Sequence, residues 1–353
     1  MRIELVGWDI GGAHLKAVAL SDTGTIADVR QYPSPLWLGP EKLESALSAA
    51  VSDLGITPSC RHAVTMTGEL ADHFENRAAG VQALMSTMLR RFGADRILVF
   101  AGRAGFLRAD AVKPQHALDI ASVNWLASAS LIANQLRQPA LLVDIGSTTT
   151  DLIVLAGGEV HSRGYTDYDR LRYDELIYTG VVRTSAMALA DELPFEGEWV
   201  NLMAEHFATT ADIYRLTGEL AEHTDQMPAA DGGEKSVAGS ERRLARLLGR
   251  DRDDGSPEQW RHLALCLRER QLSRITRAVE RQFSRTLLPA ESPLVGAGAG
   301  RFLARVIAAR SGRTYLDAIE LLPRPATATA LSVSDCLPAA AVACLAFPLQ
   351  EKA

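Results

Sequence analysis

Cysteine is scarce in this chain of 353 residues, and the four present (Cys60, Cys266, Cys336 and Cys344) are scattered, with no CxxC pair. That spacing excludes a zinc ribbon or a disulfide framework and fits a reducing cytoplasm. The eight histidines show neither HxxxH nor HxH metal spacing. There is no basic excess. The formal net charge of −6 excludes a dominant nucleic-acid surface. An uninterrupted apolar run is also missing. The Ala-rich stretch from Ala326 to Leu349 is broken by Asp335, Pro338 and Pro348, so it reads as a closing helix rather than a membrane span. The N-terminus enters a strand directly, without a basic segment and an apolar one, so no secretory leader is expected. The expectation is a cytoplasmic protein with neither membrane nor nucleic acid as partner; a homo-oligomer is compatible with all of this.

Hydrophobic residues make up 47% and charged residues 23% of the chain, ordinary values for a protein that buries a large core, and the length favours two or more domains. Strands are expected at Ile3 to Val6 and Leu15 to Leu20, with a third after the turn Ser21-Asp22-Thr23-Gly24. Leu43, Ala46, Leu47, Ala50, Val51 and Leu54 mark a helix opened by Pro40 and closed by Gly55. Val81, Leu84, Met85, Met88, Leu89 and Phe92 mark a second, ended by Gly93. Short strands are expected at Val64 to Thr67 and Ile97 to Phe100, and a helix capped by Ser122 from Val123 to Leu136. Pro139 divides an N-terminal lobe (1–138) from a C-terminal lobe (139–353). An insertion at about 191–258 is expected to be mostly helical, followed by one long helix from Trp260 to Leu288.

The chain repeats itself. Val6-Gly7-Trp8-Asp9-Ile10-Gly11-Gly12 is echoed by Leu142-Val143-Asp144-Ile145-Gly146-Ser147-Thr148-Thr149, each an apolar strand, then Asp-Ile-Gly, then a small or hydroxylated turn. Such a hairpin aims backbone N–H groups at an anion, and glycine lets the backbone approach closely. Gly11, Gly12, Gly146, Ser147, Thr148 and Thr149 are therefore candidate phosphate contacts, Lys16 a candidate countercharge, and Asp9 and Asp144 candidate metal ligands. Two ordinary Asp turns are the competing explanation; occurrence in both halves favours a phosphate-bearing ligand held by two lobes. Gly296, Gly298 and Gly300 form a third glycine turn after the strand at Leu294. Alternating strands and helices with internal duplication indicate an α/β fold with mixed sheets.

This arrangement resembles the actin, sugar kinase and Hsp70 superfamily, a duplicated ribonuclease H-like fold, and within it the hydantoinase/oxoprolinase-like proteins. Further motifs resemble the family linked to methanofuran biosynthesis and tetrahydromethanopterin-dependent C1 transfer. They are Asp9 to Ala13, Met66-Thr67-Gly68-Glu69-Leu70-Ala71-Asp72, Ala121-Ser122-Val123-Asn124-Trp125, Asp144 to Asp151, Tyr178 to Thr184, Phe207 to Ile213 and Arg246 to Asp251. They span most of the chain in order. His14 departs from the neutral polar residue expected there, and Gly68 stands where some relatives carry Ala. The resemblance implies a transferase that condenses an aminomethylfuran-methyl diphosphate with the phenol of a glutamylated tyramine or tyrosine and releases diphosphate, with Mg²⁺ as cofactor.

That chemistry sets the remaining candidates. Stabilising the leaving diphosphate is the main task, and oxygen ligands from Asp9, Asp144 and Asp151 suit Mg²⁺. A base must take the phenol proton. Glu69 and Asp212 are the candidates, Glu69 also readable as a carboxylate at a helix N-terminus and Asp212 as part of a cap. Arg243, Arg246 and Arg250 share one helical face by spacing, and Arg246, Arg250 and Arg183 are candidate anion contacts; a solvated face and a salt bridge to Asp174 or Glu175 are the alternatives. Trp125 reads as core. Two other functions stay open: an ATP-dependent kinase or hydantoinase/oxoprolinase-like hydrolase using the same cleft, with Gly296 to Gly300 meeting the nucleotide, and a non-catalytic nucleotide-binding protein that moves its lobes.

Overall fold

The computed structural model describes residues 2–326, 328–329 and 331–352. The chain forms two compact units. Unit 1 comprises Met1–Gln138, Leu155–His161 and Ala318–Ala353, and unit 2 comprises Pro139–Val154 and Ser162–Asp317.

Unit 1 is built on strands β1 (Ile3–Ile10), β2 (His14–Ser21), β3 (Ile26–Pro33), β4 (Arg61–Met66), β5 (Ile97–Phe100) and β6 (Phe106–Arg108), in the spatial order β3-β2-β1-β4-β5-β6. β1 to β3 form an antiparallel meander, whereas β1, β4 and β5 run parallel. Helices α1 (Glu41–Leu54) and α2 (Arg77–Phe92) supply the crossovers. Val6, Trp8, Ile10, Leu15 and Ala17 project from one sheet face into a core with Leu43, Leu47, Leu84 and Met88. α1 ends at Gly55, whose φ of +61° needs no Cβ penalty. A short helix, α3 (Ala117–Ile120), precedes α4 (Asn124–Gln135).

In unit 2, β7 (Ala140–Ile145) and β8 (Thr150–Ala156) form the second Asp-Gly hairpin. The end of β8 and β9 (Glu159–His161) fall in unit 1, after which α5 (Asp167–Arg172) and β10 (Leu176–Ile177) belong to unit 2. The insertion carries a hairpin, β11 (Glu192–Phe195) with β12 (Glu198–Asn201), then α6 (Thr210–Thr217) and α7 (Val237–Leu247), so it is mixed rather than mostly helical. Leu193, Phe195, Ile213, Leu244 and Leu247 pack with Trp260, Leu263 and Leu267 of α8 (Pro257–Phe283) into their own core. β13 (Leu294–Ala297), α9 (Arg301–Arg310) and β14 (Tyr315–Asp317) complete the unit, with sheet order β10-β8-β7-β13-β14. β7, β13 and β14 run parallel, matching β1, β4 and β5. The repeat in sequence is thus a repeat in topology.

Three further expectations change. The closing helix is only Leu337–Ala346 (α10); the earlier part of the expected stretch includes Thr327 and Ala330, which lie outside the described residues. α10 belongs to unit 1, where it packs on β1, β2, β4 and α4, so 139–353 is not one lobe. Its alanines make this close approach possible: a Cβ at Gly7 of β1 would lie 2.1 Å from the Ala339 carbonyl oxygen. Finally, Ser122 does not cap α4. It sits at φ +54°, and its hydroxyl is used elsewhere.

Candidate anion-binding turns and their carboxylates

The two turns are closed by the same bond. Gly11 N–H donates to the His14 carbonyl at 3.0 Å, and Gly146 N–H donates to the Thr149 carbonyl at 2.9 Å. Carbonyls on the outer side are taken: Gly12 accepts from Leu36 N–H at 2.9 Å and Ala13 from Ser34 N–H at 2.8 Å. Gly146 accepts from Val181 at 3.0 Å, and Ser147 from both Val182 and Arg183 at 3.0 Å. The amides are different. Among the described residues, the N–H groups of Gly12, Ala13, Ser147, Thr148 and Thr149 donate to no protein acceptor. The Ser147 hydroxyl is also enclosed without a protein partner. A run of unspent donors held rigidly from behind is what an oxyanion requires.

Glycine at Gly11, Gly12 and Gly146 is not demanded by a left-handed backbone, since none of the three has positive φ. A Cβ at Gly12 would meet nothing within 4 Å. Elsewhere glycine is demanded by the protein. A Cβ at Gly180 would lie 2.5 Å from Ser147 C and Thr148 N. At Gly298 (φ +77°) it would lie 2.5 Å from Asp144 Oδ1, and at Gly300 2.4 Å from Ile145 Cγ2. Gly300 N–H also donates to the Ile145 carbonyl at 2.8 Å, and the absent side chain of Gly296 makes room for the Tyr315 ring. The late glycines therefore serve to clamp the β7–β8 turn, a role the expected nucleotide pocket does not require. The Tyr178 to Thr184 segment clamps the same turn from another side. It is held by Gln271 of α8, whose Nε2 donates to Thr179 Oγ1 at 2.9 Å and to the Gly180 carbonyl at 2.8 Å. Gln271 is fully buried and was invisible in a helix rich in charge.

In unit 1, Asp9 stands opposite Lys16 on β2 and Thr65 on β4, and Lys16 opposite Gln31 on β3. Cross-strand partners share a face, so a polar row crosses an otherwise apolar sheet. The Thr65 hydroxyl is buried with no partner among the described residues. Asn124, the first residue of α4, donates from Nδ2 to Asp9 Oδ1 at 3.3 Å. Glu69 is 1% exposed, and Ser122 Oγ donates to its Oε1 at 2.6 Å. The segment 122–124 thus contacts both candidate carboxylates. Its strained Ser122 has a physical reason, since the left-handed turn brings hydroxyl and amide to two different partners. Trp125 is buried, as core.

Other candidates are spent on structure. Asp212 accepts from Thr209 N–H at Oδ2 (3.0 Å) and from Ser240 Oγ (2.7 Å), Arg243 Nε (2.9 Å) and Arg215 Nη1 (3.4 Å) at Oδ1, so it serves as a buried cap and ion-pair hub. Asp151 pairs with Arg170, a buried guanidinium, at 2.7 Å; burial pushes its carboxyl above the usual range while Arg170 opposes that. Its Oδ1 is committed to that pair rather than to a metal. Thr150 likewise spends its hydroxyl on the Thr179 carbonyl. The arginine face does not exist: α7 ends at Leu247, Arg243 is buried against Asp212, Arg246 pairs with exposed Asp251 at 3.2 Å, and Arg250 pairs with Glu196 at 2.8 Å and lies over Phe195. Arg246 and Arg250 belong to the insertion surface. Arg183 is exposed and fixes the turn through its backbone; Asp174 and Glu175 pair with Arg281 and Arg285.

No group of three or more His, Cys, Asp or Glu among the described residues could hold a metal alone. Among the described residues, no helix is long and apolar enough to cross a membrane.

Residues 61–336 match the model of the hydantoinase/oxoprolinase family. A (4-{4-[2-(gamma-L-glutamylamino)ethyl]phenoxymethyl}furan-2-yl)methanamine synthase from Methanocaldococcus jannaschii is 32% identical over 253 residues, 72% of this chain and 74% of the relative. A synthase of the same name from Methanococcus vannielii is 30% identical over 137 residues, 39% of this chain and 61% of the relative. Among solved structures, a nucleotide-free acetone carboxylase superposes with a TM-score of 0.56 at 10% identity, over 85% of this chain and 66% of that one, a likeness of fold alone.

Proposed function

The chain belongs to the hydantoinase/oxoprolinase family and, within it, to the furan-methanamine synthases; from that premise we propose that it is an enzyme forming the aryl ether of such a product. The named product of the relatives contains a phenoxymethyl-furan. Its ether forms when a phenol oxygen bonds to a furan-methyl carbon whose bond to a leaving group breaks. We assign diphosphate as that group. The electron pair of the carbon–oxygen bond departs with it, and no ATP is consumed.

The observation that carries this reading is the Gly146–Thr149 turn, with its unspent amides and enclosed Ser147 hydroxyl. Donors fixed before the reaction stabilise charge that grows on the leaving oxygens, and they cost no reorganisation. The Gly11–Ala13 turn offers the same groups. Mg²⁺, held by Asp9 or Asp144, would supply charge neutralisation on the diphosphate. Glu69 takes the phenol proton, with Ser122 orienting its carboxylate. Packing against Asp144, Ile145 and Tyr315 accounts for the late glycines without a nucleotide.

The test is diphosphate release from a furan-methyl diphosphate with Mg²⁺. Release that depends on a tyramine-type phenol, and that Asp144→Asn lowers by at least about a hundredfold at unchanged thermal stability, supports the assignment. ATP turnover under the same conditions, or full activity in the variant, contradicts it.

A further inference from the structure

We propose that the cleft which α8 forms with Leu171–Tyr178 in unit 2 is a carboxylate subsite that holds the glutamyl end of the acceptor. The cleft has a volume of about 470 Å³. Leu171, Leu176 and Ile177 give it an apolar wall, Tyr178 stands at its edge 64% exposed, and Arg274 and Arg277 enter it from α8. The two arginines are three residues apart and so share a helix face. Among the described residues neither guanidinium makes a hydrogen bond, ion pair or ring contact. Their neighbours on α8 are engaged: Arg268 with Glu219, Arg270 over Trp199, and Arg281 with Asp174 at 2.7 Å. That last pair also neutralises the one carboxylate among the cleft's lining residues. The site therefore presents two uncompensated cations beside an apolar wall and an exposed aromatic ring. Its complement is an aryl body ending in a carboxylate, which a guanidinium accepts bidentately.

The cleft is linked to the anion-binding turn along the chain. Tyr178 runs directly into Thr179 and Gly180, whose backbone lies against Ser147 and Thr148. γ-Glutamyltyramine carries a phenol at one end and, at its glutamyl end, a free α-carboxylate beside an α-ammonium, and the carboxylate is the group the two guanidiniums select. The choice of this ligand rests on the ether-forming reading; the carboxylate site itself does not.

The experiment is calorimetric titration of the full chain with γ-glutamyltyramine and with its α-carboxamide analogue, for the wild type and for the double variant Arg274→Gln/Arg277→Gln. The carboxylate should bind the wild type about tenfold tighter than the carboxamide, and the double variant should lose that preference while binding the carboxamide as before. In turnover, KM for the acid should rise about tenfold at constant kcat. Thermal unfolding should not change, since both side chains are exposed. Equal affinity for acid and amide in the wild type, or an unchanged preference in the variant, overturns the proposal. Preference for the acid without any diphosphate release upholds the subsite and overturns the ether-forming reading.

Discussion

Replacing Gly12 with alanine separates a turn shaped for its own fold from a turn shaped for a ligand. Gly12 has no left-handed φ, and the added Cβ would meet no protein atom within 4 Å. The folded chain tolerates alanine there, and the unfolded chain loses freedom, so Gly12→Ala should stabilise unit 1 by about 0.4–1 kcal/mol. The ligand feels the opposite effect. A methyl in the space beside the unspent Gly12 and Ala13 amides crowds any phosphate drawn to them. Overpacking of that kind costs about 1–3 kcal/mol, which corresponds to about a 5- to 150-fold weaker diphosphate affinity. Gly180→Ala is the contrast. Its Cβ would strike Ser147 and Thr148 backbone at 2.5 Å, so it should lower stability by about 1–3 kcal/mol as well as affinity. Calorimetric titration with Mg²⁺-diphosphate and scanning calorimetry read both quantities. A Gly12→Ala protein that binds diphosphate as the wild type does refutes the reasoning, because no glycine would then be needed at an open position.

Ser122 gives a second comparison. Ser122→Ala loses a buried hydrogen bond to a carboxylate, worth about 1.5–3 kcal/mol, and keeps the strain of φ +54°; Ser122→Gly loses the bond but relieves about 1 kcal/mol of strain. Urea unfolding should rank wild type, then glycine, then alanine, and an alanine variant as stable as glycine contradicts the strain. His62 should make unit 1 sensitive to acid. Burial, aided by Arg96, lowers its pKa from 6.5 to about 3, and its neutral Nδ1 accepts from Trp8 Nε1 at 3.1 Å. A lowered folded pKa gives stability that is complete above the unfolded value and is lost as pH falls from 6.5 towards 3, about 1.4 kcal/mol per unit. Unfolding free energy should thus drop by about 2 kcal/mol between pH 6.5 and pH 5, and His62→Gln should flatten that slope whatever its absolute stability. Parallel slopes for the two proteins would place the acid sensitivity elsewhere.

The parts of this structure legible in the sequence are those set by neighbours along the chain. The two hairpins follow from apolar strands around Asp-Ile-Gly, and α1 and α2 from their apolar stripes and closing glycines. What escaped is set at long range. Ser122 looked like a cap because its type favours caps, but Glu69, distant in sequence, captures the hydroxyl. Arg243 looked like part of a solvated basic face, and it is buried because Asp212 and Asp231 compensate it. The glycines at Gly296, Gly298 and Gly300 looked like a ligand turn, since sequence shows that a side chain is absent without showing which atoms fill the space. α10 was placed in the wrong unit for a related reason: nothing local records that Gly7 of β1 leaves room for Ala339 and Ala343.

The central claim is that the phenol oxygen attacks the furan-methyl carbon and diphosphate leaves. It is tested most directly with an acceptor carrying ¹⁸O in its phenol and an unlabelled furan-methyl diphosphate. The account predicts that all of the label is found in the ether and none in the released diphosphate. Label in the diphosphate would mean that the phenol oxygen had bonded to phosphorus, and it would contradict the account.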